Sequence, residues 1–433
     1  NDRFDTVVKA YGRRTKDFRS LGIRIDITLL SIAIDMATEN KKYIPALRFP
    51  EFQNDGEWKL RSLSEILNYE QPGAYIVNDT NYKKTGTPVL TANKGFILGY
   101  TDESYGVYND LPVIIFDDFT TDKKFVNFPF KVKSSAIKLL TLKNKNRDDL
   151  KFIFECMKNI KFEEKEHKRY YISTYQNIKI LVPKSTQEQK KIADCFVSID
   201  KEIDATKRKL EQLKEHKKGL MQRLFPAKGK TTPELRFSEF QNDGEWQIVS
   251  LGEITSVVNR RNKSNRSLPI YSINNAEGFV PQSQQFAGMD SEARGYDISA
   301  YKIIGKHTFA YNPARINVGS IGYSGELKDI LISSLYVCFK TMNNVDDDFI
   351  MCFFNSYIFN QAVESNVEGG IRSYLFYENF SRINIAIPSL YEQKRIASCI
   401  TSIEDMIKKT NEQISLLETH KKGLLQQLFP MIK

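Results

Sequence analysis

The chain has 433 residues, a formal net charge of +10 and a charged fraction of 27%. This length allows two or three domains with buried cores, and the moderate basic excess is compatible with a polyanionic partner. The longest apolar run near the start, residues 27–34, is too short for a membrane span or a signal peptide. Five cysteines without a C-x-x-C pair show no disulfide framework and fit a reducing cytoplasm. We therefore expect a cytoplasmic protein without a membrane segment.

Residues 1–46 form an N-terminal extension, of which residues 1–40 have no counterpart later in the chain. Within it, residues 21–36 are compatible with a helix or with a buried strand. We assign this extension no function.

A motif of twelve residues opens each of two long repeats. LRFPEFQNDGEW at 47–58 returns as LRFSEFQNDGEW at 235–246, and an L-x-E-I phrase follows both copies. We call this stretch the opening motif. Repeats fix the architecture before any local assignment, so we divide the chain into a first body (47–184), a first helix (185–226), a polar linker (227–234), a second body (235–389) and a second helix (390–430).

The two bodies hardly resemble each other, yet both predict a mixture of strands and one helix. Short β-branched and aromatic runs between Gly, Pro and Asn/Asp turns are typical of strands. They occur in PVLTANKGFILGYTDES, LPVIIFDDFTT and FPFKVKSSAIKLL of the first body, and in LPIYSINNAEGFV, HTFAYNPARINVGSIGYSG and LISSLYVCF of the second. Helices are predicted over 149–157 and 347–356. Each body ends on a strand-like run and a proline, IKILVP and INIAIP.

Each body is followed by a long heptad helix, and the stretches 188–226 and 392–430 align without a gap. Apolar residues at alternating steps of four and three predict a coiled coil, roughly 55 Å long at 1.5 Å per residue. Thr206 and Lys217, and Thr410 and Lys421 in the second copy, interrupt the pattern at equivalent positions. Each helix could pack on its own body alone. The shared stripe favours packing of the two helices on each other, most naturally antiparallel, along a seam of Ile192, Phe196, Ile199, Ile203, Leu210, Leu213, Ile396, Ile400, Ile403, Ile407, Ile414 and Leu417.

The residue patterns give no catalytic or metal site. The Gly-Lys-Thr at 229–231 lacks the first glycine of a phosphate-binding loop. Glu188 and Glu392 echo half of a nuclease motif, but they begin the long helices, where an acid favours the helix dipole. Asp117 and Asp118 are adjacent strand residues that point to opposite faces, which favours a role in a turn or at a sheet edge. The four histidines lack metal-ligand spacing.

Basic and amide side chains are concentrated in loops of both bodies, as expected of a nucleic-acid-binding surface. Arginine suits guanine and phosphate, and asparagine suits adenine. An ordinary basic surface is the alternative for any single residue. The candidate DNA-binding residues are Lys83, Lys84, Asn93, Lys94, Lys168 and Arg169 in the first body, and Arg260, Arg261, Asn262, Lys263, Arg266, Arg315, Asn317, Arg372 and Tyr374 in the second.

The duplicated set of motifs resembles a specificity subunit of a type I restriction–modification system. The resemblance rests on the opening motif, on the phrase P-x(4,5)-EQ-K-[KR]-I-A before each helix, and on the ending HKKGL-[ML]-Q-x-LFP of both copies. The segments ILGYTDES, FDDFTT and FAYNPARINVGSIGYS also resemble bodies of this family. It covers residues 47–430, and residues 1–40 fall outside it.

This resemblance implies an α+β fold, with two target-recognition domains joined by an antiparallel coiled coil and related as an internal repeat. Each domain would read one half of a split target in double-stranded DNA. The helices would set the spacing and dock two methyltransferase subunits, which bind S-adenosylmethionine and methylate adenine, and restriction subunits would cut unmethylated DNA. This chain would bind no cofactor and catalyse no step. The alternatives are a stand-alone DNA-acting nuclease and a coiled-coil scaffold that binds only protein.

Overall fold

A computed structural model describes residues 43–430, except 94, 164–168, 276, 286–287 and 368–373. The extension before residue 43 and the candidates Lys94, Lys168 and Arg372 therefore lie outside the described residues. The chain forms two compact units. Of the described residues, the first contains those up to 205 together with those from 414 onward, and the second contains those within 206–413.

The first unit is built from short strands and two helices of its own. They are β1 (Lys59–Ser62), α1 (Leu63–Ile66), β2 (Leu67–Glu70), β3 (Thr87–Leu90), β4 (Ile97–Thr101), β5 (Val113–Asp117), β6 (Lys123–Val126), β7 (Lys131–Val132), β8 (Ile137–Leu142), α2 (Leu150–Lys158) and β9 (Lys179–Val182). The strands predicted for this body, and its helix, are confirmed. The long helix α3 (Thr186–Leu224) follows and begins in this unit.

The strands of the first unit form three sheets. One is antiparallel in the order β2-β8-β5-β6, a second has the order β4-β3-β7, and β1 pairs antiparallel with β9. All five residues of β5 are buried, which explains the apolar run over its first four residues, because a strand covered on both faces needs no alternation. The core includes Ile114, Phe116 and Leu140 of the four-stranded sheet and Phe152 of α2.

The second unit has a related mixture of elements. They are β10 (Gln247–Ser250), α4 (Leu251–Ile254), β11 (Thr255–Val257), β12 (Ile270–Asn274), β13 (Gly278–Pro281), α5 (Gln282–Gln285), β14 (Lys302–Ile304), β15 (Phe309–Tyr311), β16 (Ile321–Tyr323), β17 (Ile330–Ile332), β18 (Val337–Thr341), α6 (Asp347–Phe354), α7 (Tyr357–Asn366), α8 (Tyr377–Ser381) and β19 (Asn384–Ile387). The predicted strands are again confirmed, but the helix expected over 347–356 ends at Phe354 and α7 was not predicted. The long helix α9 (Leu390–Leu428) follows.

Two four-stranded sheets, in the orders β11-β18-β15-β16 and β13-β12-β17-β14, support the second body, and β10 pairs with β19. The Phe309 and Phe339 rings stack in its core with centroids 5.2 Å apart. The repeated L-x-E-I phrase forms the short helices α1 and α4. Ser62 and Ser250 cap them by accepting hydrogen bonds from the Glu65 and Glu253 backbone N–H groups, both at 3.3 Å.

The two long helices pack on each other in the antiparallel direction, as expected. In the first unit, Ile192 and Phe196 near the start of α3 share a core with Leu428 at the end of α9. In the second unit, Leu224 at the end of α3 shares a core with Ile396 and Ile400 near the start of α9. Within each unit, the start of one long helix therefore lies beside the end of the other.

Candidate nucleic-acid interface and its supporting contacts

A buried ion pair joins the first opening motif to the start of α3. Arg48 donates from Nε to Glu188 Oε1 at 2.8 Å and from Nη2 to Oε2 at 2.7 Å. Its Nη1 donates to the Gly56 carbonyl at 2.7 Å, and Trp58 Nε1 donates to the same carboxylate at 3.3 Å. The Leu47 backbone N–H also donates to the Gln427 carbonyl of α9 at 3.0 Å. The opening motif thus ties the start of one long helix to the end of the other.

The second opening motif repeats these contacts. Arg236 donates to both oxygens of Glu392 at 2.8 Å and to the Gly244 carbonyl at 2.6 Å. The Glu392 carboxylate raises the pKa of the Arg236 guanidinium. The Leu235 backbone N–H donates to the Arg223 carbonyl at the end of α3 at 2.9 Å. We call Arg48–Glu188 and Arg236–Glu392 the two anchors. Glu188 and Glu392, which resemble half of a nuclease motif in sequence, therefore have a structural role, because each carboxylate is bound by an arginine.

The glutamine after each anchor glutamate connects the long helix to its own body. Gln189 Nε2 donates to the Pro183 carbonyl at 3.1 Å, and its Oε1 accepts from the Asp149 backbone N–H at 2.8 Å. Gln393 makes the matching contacts, at 2.9 Å to the Pro388 carbonyl and at 2.9 Å from the Asp346 backbone N–H. Asp149 and Asp346 in turn cap α2 and α6. The repeated Glu-Gln pair therefore fixes each body to its helix.

The polar residues that interrupt the heptad pattern either form an ion pair with the other long helix or are buried. Lys217 Nζ lies 2.6 Å from Glu404 Oε1 in the second unit, and Lys421 pairs with Asp200 in the first. Thr206 and Thr410 are buried. Of the twelve seam residues, nine are buried, and Ile199, Leu213 and Ile407 are half-buried.

The first body presents Lys83, Lys84 and Arg169 at its surface, while Asn93 is half-buried. The Lys83 backbone pairs with Tyr100 at the edge of β4, and the Lys83 ammonium group forms an ion pair with Asp102. Arg169 lies 5.8 Å from the Phe119 ring centroid. The Thr91 hydroxyl donates to the Asn93 side-chain oxygen at 2.6 Å. These residues lie in separate loops around the two larger sheets of this body.

Two lysines of the first body have a structural role that the sequence analysis missed. Lys131 and Lys138 are fully buried. Lys131 Nζ lies 3.0 Å from Glu103 Oε2, and Lys138 Nζ lies 3.0 Å from Asp118 Oδ2. Their positions in the strand-like run FPFKVKSSAIKLL are the signal that could have distinguished them from loop lysines.

The turn role expected for Asp117 is confirmed. Its Oδ1 accepts from the backbone N–H groups of Phe119 and Thr120 at 2.9 and 3.0 Å, which closes the turn after β5. The neighbouring Asp118 accepts from the Tyr171 backbone N–H at 2.7 Å in addition to its contact with Lys138. The two carboxylates therefore have separate partners, as expected for adjacent strand residues.

The basic loop of the second body, residues 260–266, runs beside strand β14. The Ile303 backbone N–H donates to the Arg260 carbonyl at 2.7 Å. Arg260 and Arg266 lie 3.8 and 3.4 Å from the carboxylate of Asp329, and the loop has exposed side chains at Arg260, Arg261, Lys263 and Arg266. The loop therefore presents basic side chains at the surface, two of which lie beside a carboxylate.

Asn262 differs from its neighbours in the same loop. Its side chain is fully buried and donates to the Arg266 carbonyl at 3.0 Å, while its Oδ1 accepts from the Arg266 backbone N–H at 2.9 Å. A buried amide with both ends hydrogen-bonded inside the loop is not presented to a base. Asn262 therefore holds the loop in shape, which corrects its assignment as a direct DNA contact.

A second candidate surface of this body combines the turn between β15 and β16 with the segment before α8. Arg315 and Asn317 are exposed on the turn. The Leu375 backbone N–H donates to the Pro313 carbonyl at 3.0 Å, so Tyr374 is held beside this turn. The tertiary fold thus brings together candidates that lie far apart in the sequence.

Within residues 43–430 less the gaps given above, no group of three or more His, Cys, Asp or Glu side chains is placed to hold a metal ion. None of the helices in this same part is long and apolar enough to cross a membrane.

Two unlike α+β bodies, each tied by the same anchor to the ends of two long helices, define a duplicated recognition protein. The chain belongs to the family described as the type I restriction modification DNA specificity domain, whose model matches residues 55–215 and 243–419. This family comprises the specificity subunits of type I restriction–modification systems, and the chain carries two of its domains.

Similar proteins are described as specificity subunits. The Escherichia coli EcoR124I/EcoR124II specificity subunit is 43% identical over 157 residues, which span 33% of this chain and 39% of that protein. The MjaVIII specificity subunit of Methanocaldococcus jannaschii is 24% identical over 434 residues, covering 90% of this chain and 95% of that protein. A crystal structure of the type I system S subunit from M. genitalium has a similar fold, with a TM-score of 0.60 and 14% identity over 88% of this chain and 98% of that one.

Proposed function

We propose that this chain supplies DNA sequence specificity to a type I restriction–modification complex and catalyses no step itself. Residues 47–184 and 235–389 are the proposed target-recognition domains, each reading one half of a split target in double-stranded DNA. The observation that carries the proposal is that both bodies have the same anchor to the long helices but differ in their exposed basic loops. A shared support with unlike reading surfaces suits one complex that recognises two different half-sites.

The proposed DNA contacts are the exposed candidates of each body. Arginines of the loop 260–266 and Arg315 suit guanine edges and phosphates, and Asn317 suits adenine. Lys83, Lys84 and Arg169 have the same proposed role in the first body, and Tyr374 has it beside Arg315. Lys94, Lys168 and Arg372 remain predictions from sequence. Phosphate contacts position a protein on DNA, whereas base contacts specify sequence, so the two kinds should respond differently to mutation.

The helices at 185–226 and 390–430 are proposed to set the distance between half-sites and to dock two methyltransferase subunits, which bind S-adenosylmethionine. The linker 227–234 joins the repeats, and the extension 1–46 has no proposed role. Restriction subunits would complete a cleaving complex. A role in reading cellular DNA supports the cytoplasm as the proposed site of action.

Methylome sequencing of cells that make this chain with a type I methyltransferase subunit tests the proposal. The expected result is a split motif, methylated on adenine, that appears only when this chain is present. If both proteins copurify and no chain-dependent motif appears, the DNA-reading role is wrong and a protein-only scaffold is favoured. Metal-dependent DNA cleavage by the purified chain alone would instead favour a nuclease.

Lengthening both long helices tests the spacing role. A seven-residue insertion preserves the heptad seam and lengthens each helix by roughly 10 Å. We expect the methylated motif to keep both half-sites and to change only in the number of bases between them. An unchanged spacer in a folded, active complex would contradict the spacing role and leave sequence reading untouched.

A further inference from the structure

The second body presents a pair of aromatic rings beside its basic turn. The Tyr374 and Phe376 rings are parallel within 6°, with centroids 5.7 Å apart. Between them, Leu375 is fully buried, and its backbone is hydrogen-bonded to Pro313. Alternate residues of an extended segment point to opposite sides, so both rings lie on the side opposite the buried Leu375, where Phe376 is exposed and Tyr374 is half-buried.

Phe376 breaks two local preferences of the fold. It is the N-cap of α8, where Ser, Thr, Asn or Asp would supply a hydrogen-bond acceptor to the helix and phenylalanine cannot. It is also 53% exposed, although burial of an aromatic ring is favourable. A residue that breaks local rules without an evident structural gain is a candidate for a functional role.

The first body provides an internal comparison at the same position of the repeat. Tyr171 lies eight residues before β9, which begins at Lys179, and Phe376 lies eight residues before β19, which begins at Asn384. Tyr171 is only 1% exposed and packs against Phe116, with ring centroids 5.3 Å apart. The repeat therefore accommodates a buried aromatic here, and exposure of Phe376 is particular to the second body.

The surroundings of the two rings favour DNA as their partner. Arg315 and Asn317 are exposed on the turn to which Leu375 is bonded, and Val318 beside them is 55% exposed. A positive side chain next to aromatic faces is the combination that holds nucleic-acid bases by stacking. DNA combines phosphates for the arginine with flat base faces for the rings, which favours it over an acidic protein surface.

We propose that Phe376, supported by Tyr374, stacks on a base of the target and unstacks it from its neighbour when the second body reads its half-site. This inference rests on the proposed DNA-reading function. The two rings would act as a wedge between neighbouring bases, next to the side chains that hydrogen-bond to DNA. They would increase affinity and favour target sequences whose base steps are easily deformed.

The test uses the full chain in complex with a type I methyltransferase subunit. Duplexes carry the methylome-defined target, with the fluorescent base 2-aminopurine placed in turn at each position of both half-sites. We expect the wild-type complex to raise the fluorescence at a position in one half-site only. The main variant is Phe376→Ser, because serine restores an N-cap and so keeps α8 stable while it removes the ring.

If Phe376 stacks on a base, three variants should give different results. Phe376→Ser should abolish the fluorescence rise and weaken target binding by roughly 5- to 150-fold. Phe376→Trp should retain both, since it keeps an aromatic face. The matched control is Tyr357→Ala, which removes a 66% exposed aromatic from the same body and should leave both readouts unchanged.

The outcomes separate this inference from the proposed function. If the wild-type complex binds its target and Phe376→Ser changes neither affinity nor fluorescence, the wedge is wrong while DNA reading stands. If Phe376→Ser instead loses the methyltransferase subunit during copurification, the rings dock protein and the wedge is again wrong. Failure of the wild-type complex to bind any methylome-defined duplex would overturn the proposed function itself.

Discussion

Removal of the acid from the first anchor should destabilise the first unit strongly. In the variant Glu188→Gln, the Arg48 guanidinium keeps its position but loses a bidentate carboxylate partner. The Arg48 side chain is 6% exposed and that of Glu188 is 0% exposed, so solvent cannot compensate. Removing one partner of a buried ion pair costs about 3–5 kcal/mol, which corresponds to about a 150- to 5000-fold change in an equilibrium constant.

Native-state hydrogen exchange followed by mass spectrometry can locate this loss. We expect the most protected amides of β1 and β9 to exchange at least about 100-fold faster in Glu188→Gln, while those of β10 and β19 are unaffected. Glu392→Gln should produce the opposite pattern. The matched control is Glu51→Gln, because Glu51 and Lys191 form an ion pair that is 47% and 50% exposed. Such a surface pair contributes at most about 1 kcal/mol.

Two results would refute this reasoning. The first is a loss in Glu188→Gln no larger than that in Glu51→Gln, which would mean that the anchor is not effectively buried in solution. The second is an equal loss of protection in both units, which would mean that the anchors do not act locally. A further check is the double variant Arg48→Met/Glu188→Leu, which should be more stable than Glu188→Gln because it leaves no unpaired buried charge.

Three other predictions concern the helices and the cysteines. Lys217→Glu should destabilise the second unit by about 0.5–1 kcal/mol through repulsion with Glu404, and adding Glu404→Lys should restore stability in a urea double-mutant cycle. Burial lowers the pKa of His420 below its usual 6.5, so the unfolded state binds more protons and stability should fall as the pH drops below 6.5. Urea midpoints at pH 5.5 and 7.5 should differ less in His420→Gln, whereas His216→Gln, at an exposed equivalent position, should behave like wild type. Burial raises the pKa of Cys338 and Cys352 to about 12, so alkylation at pH 8 should label them only after unfolding, as mass spectrometry can show.

Much of the fold could be predicted because its signals are local. A strict alternation of four and three residues defines the long helices, which span Thr186–Leu224 and Leu390–Leu428. Strands such as β5 and β15 follow from apolar runs bounded by turn residues. The short strands β1 and β10 were missed, since each is only four residues long and pairs with a strand more than 100 residues away.

The candidate interface was predictable as a set of loops but not residue by residue. Composition marks the loop at 260–266 as basic, yet it cannot show that Asn262 is turned inward while its neighbours are exposed. The strand-like run around Lys131 and Lys138 separates them from loop lysines, but it does not show that both are fully buried beside carboxylates. Exposure depends on how strands pack against each other, and that packing is a property of the whole body.

The sequence by itself determined the duplication, the two heptad helices and the mixed α+β character of both bodies, because each is written in spacing and in local residue preference. Only the tertiary structure revealed why the opening motif is repeated. Arg48 meets Glu188 across 140 residues, and Arg236 meets Glu392 across 156. Such partners are chosen by topology, since a buried charge is tolerated only where the fold places an opposite charge beside it.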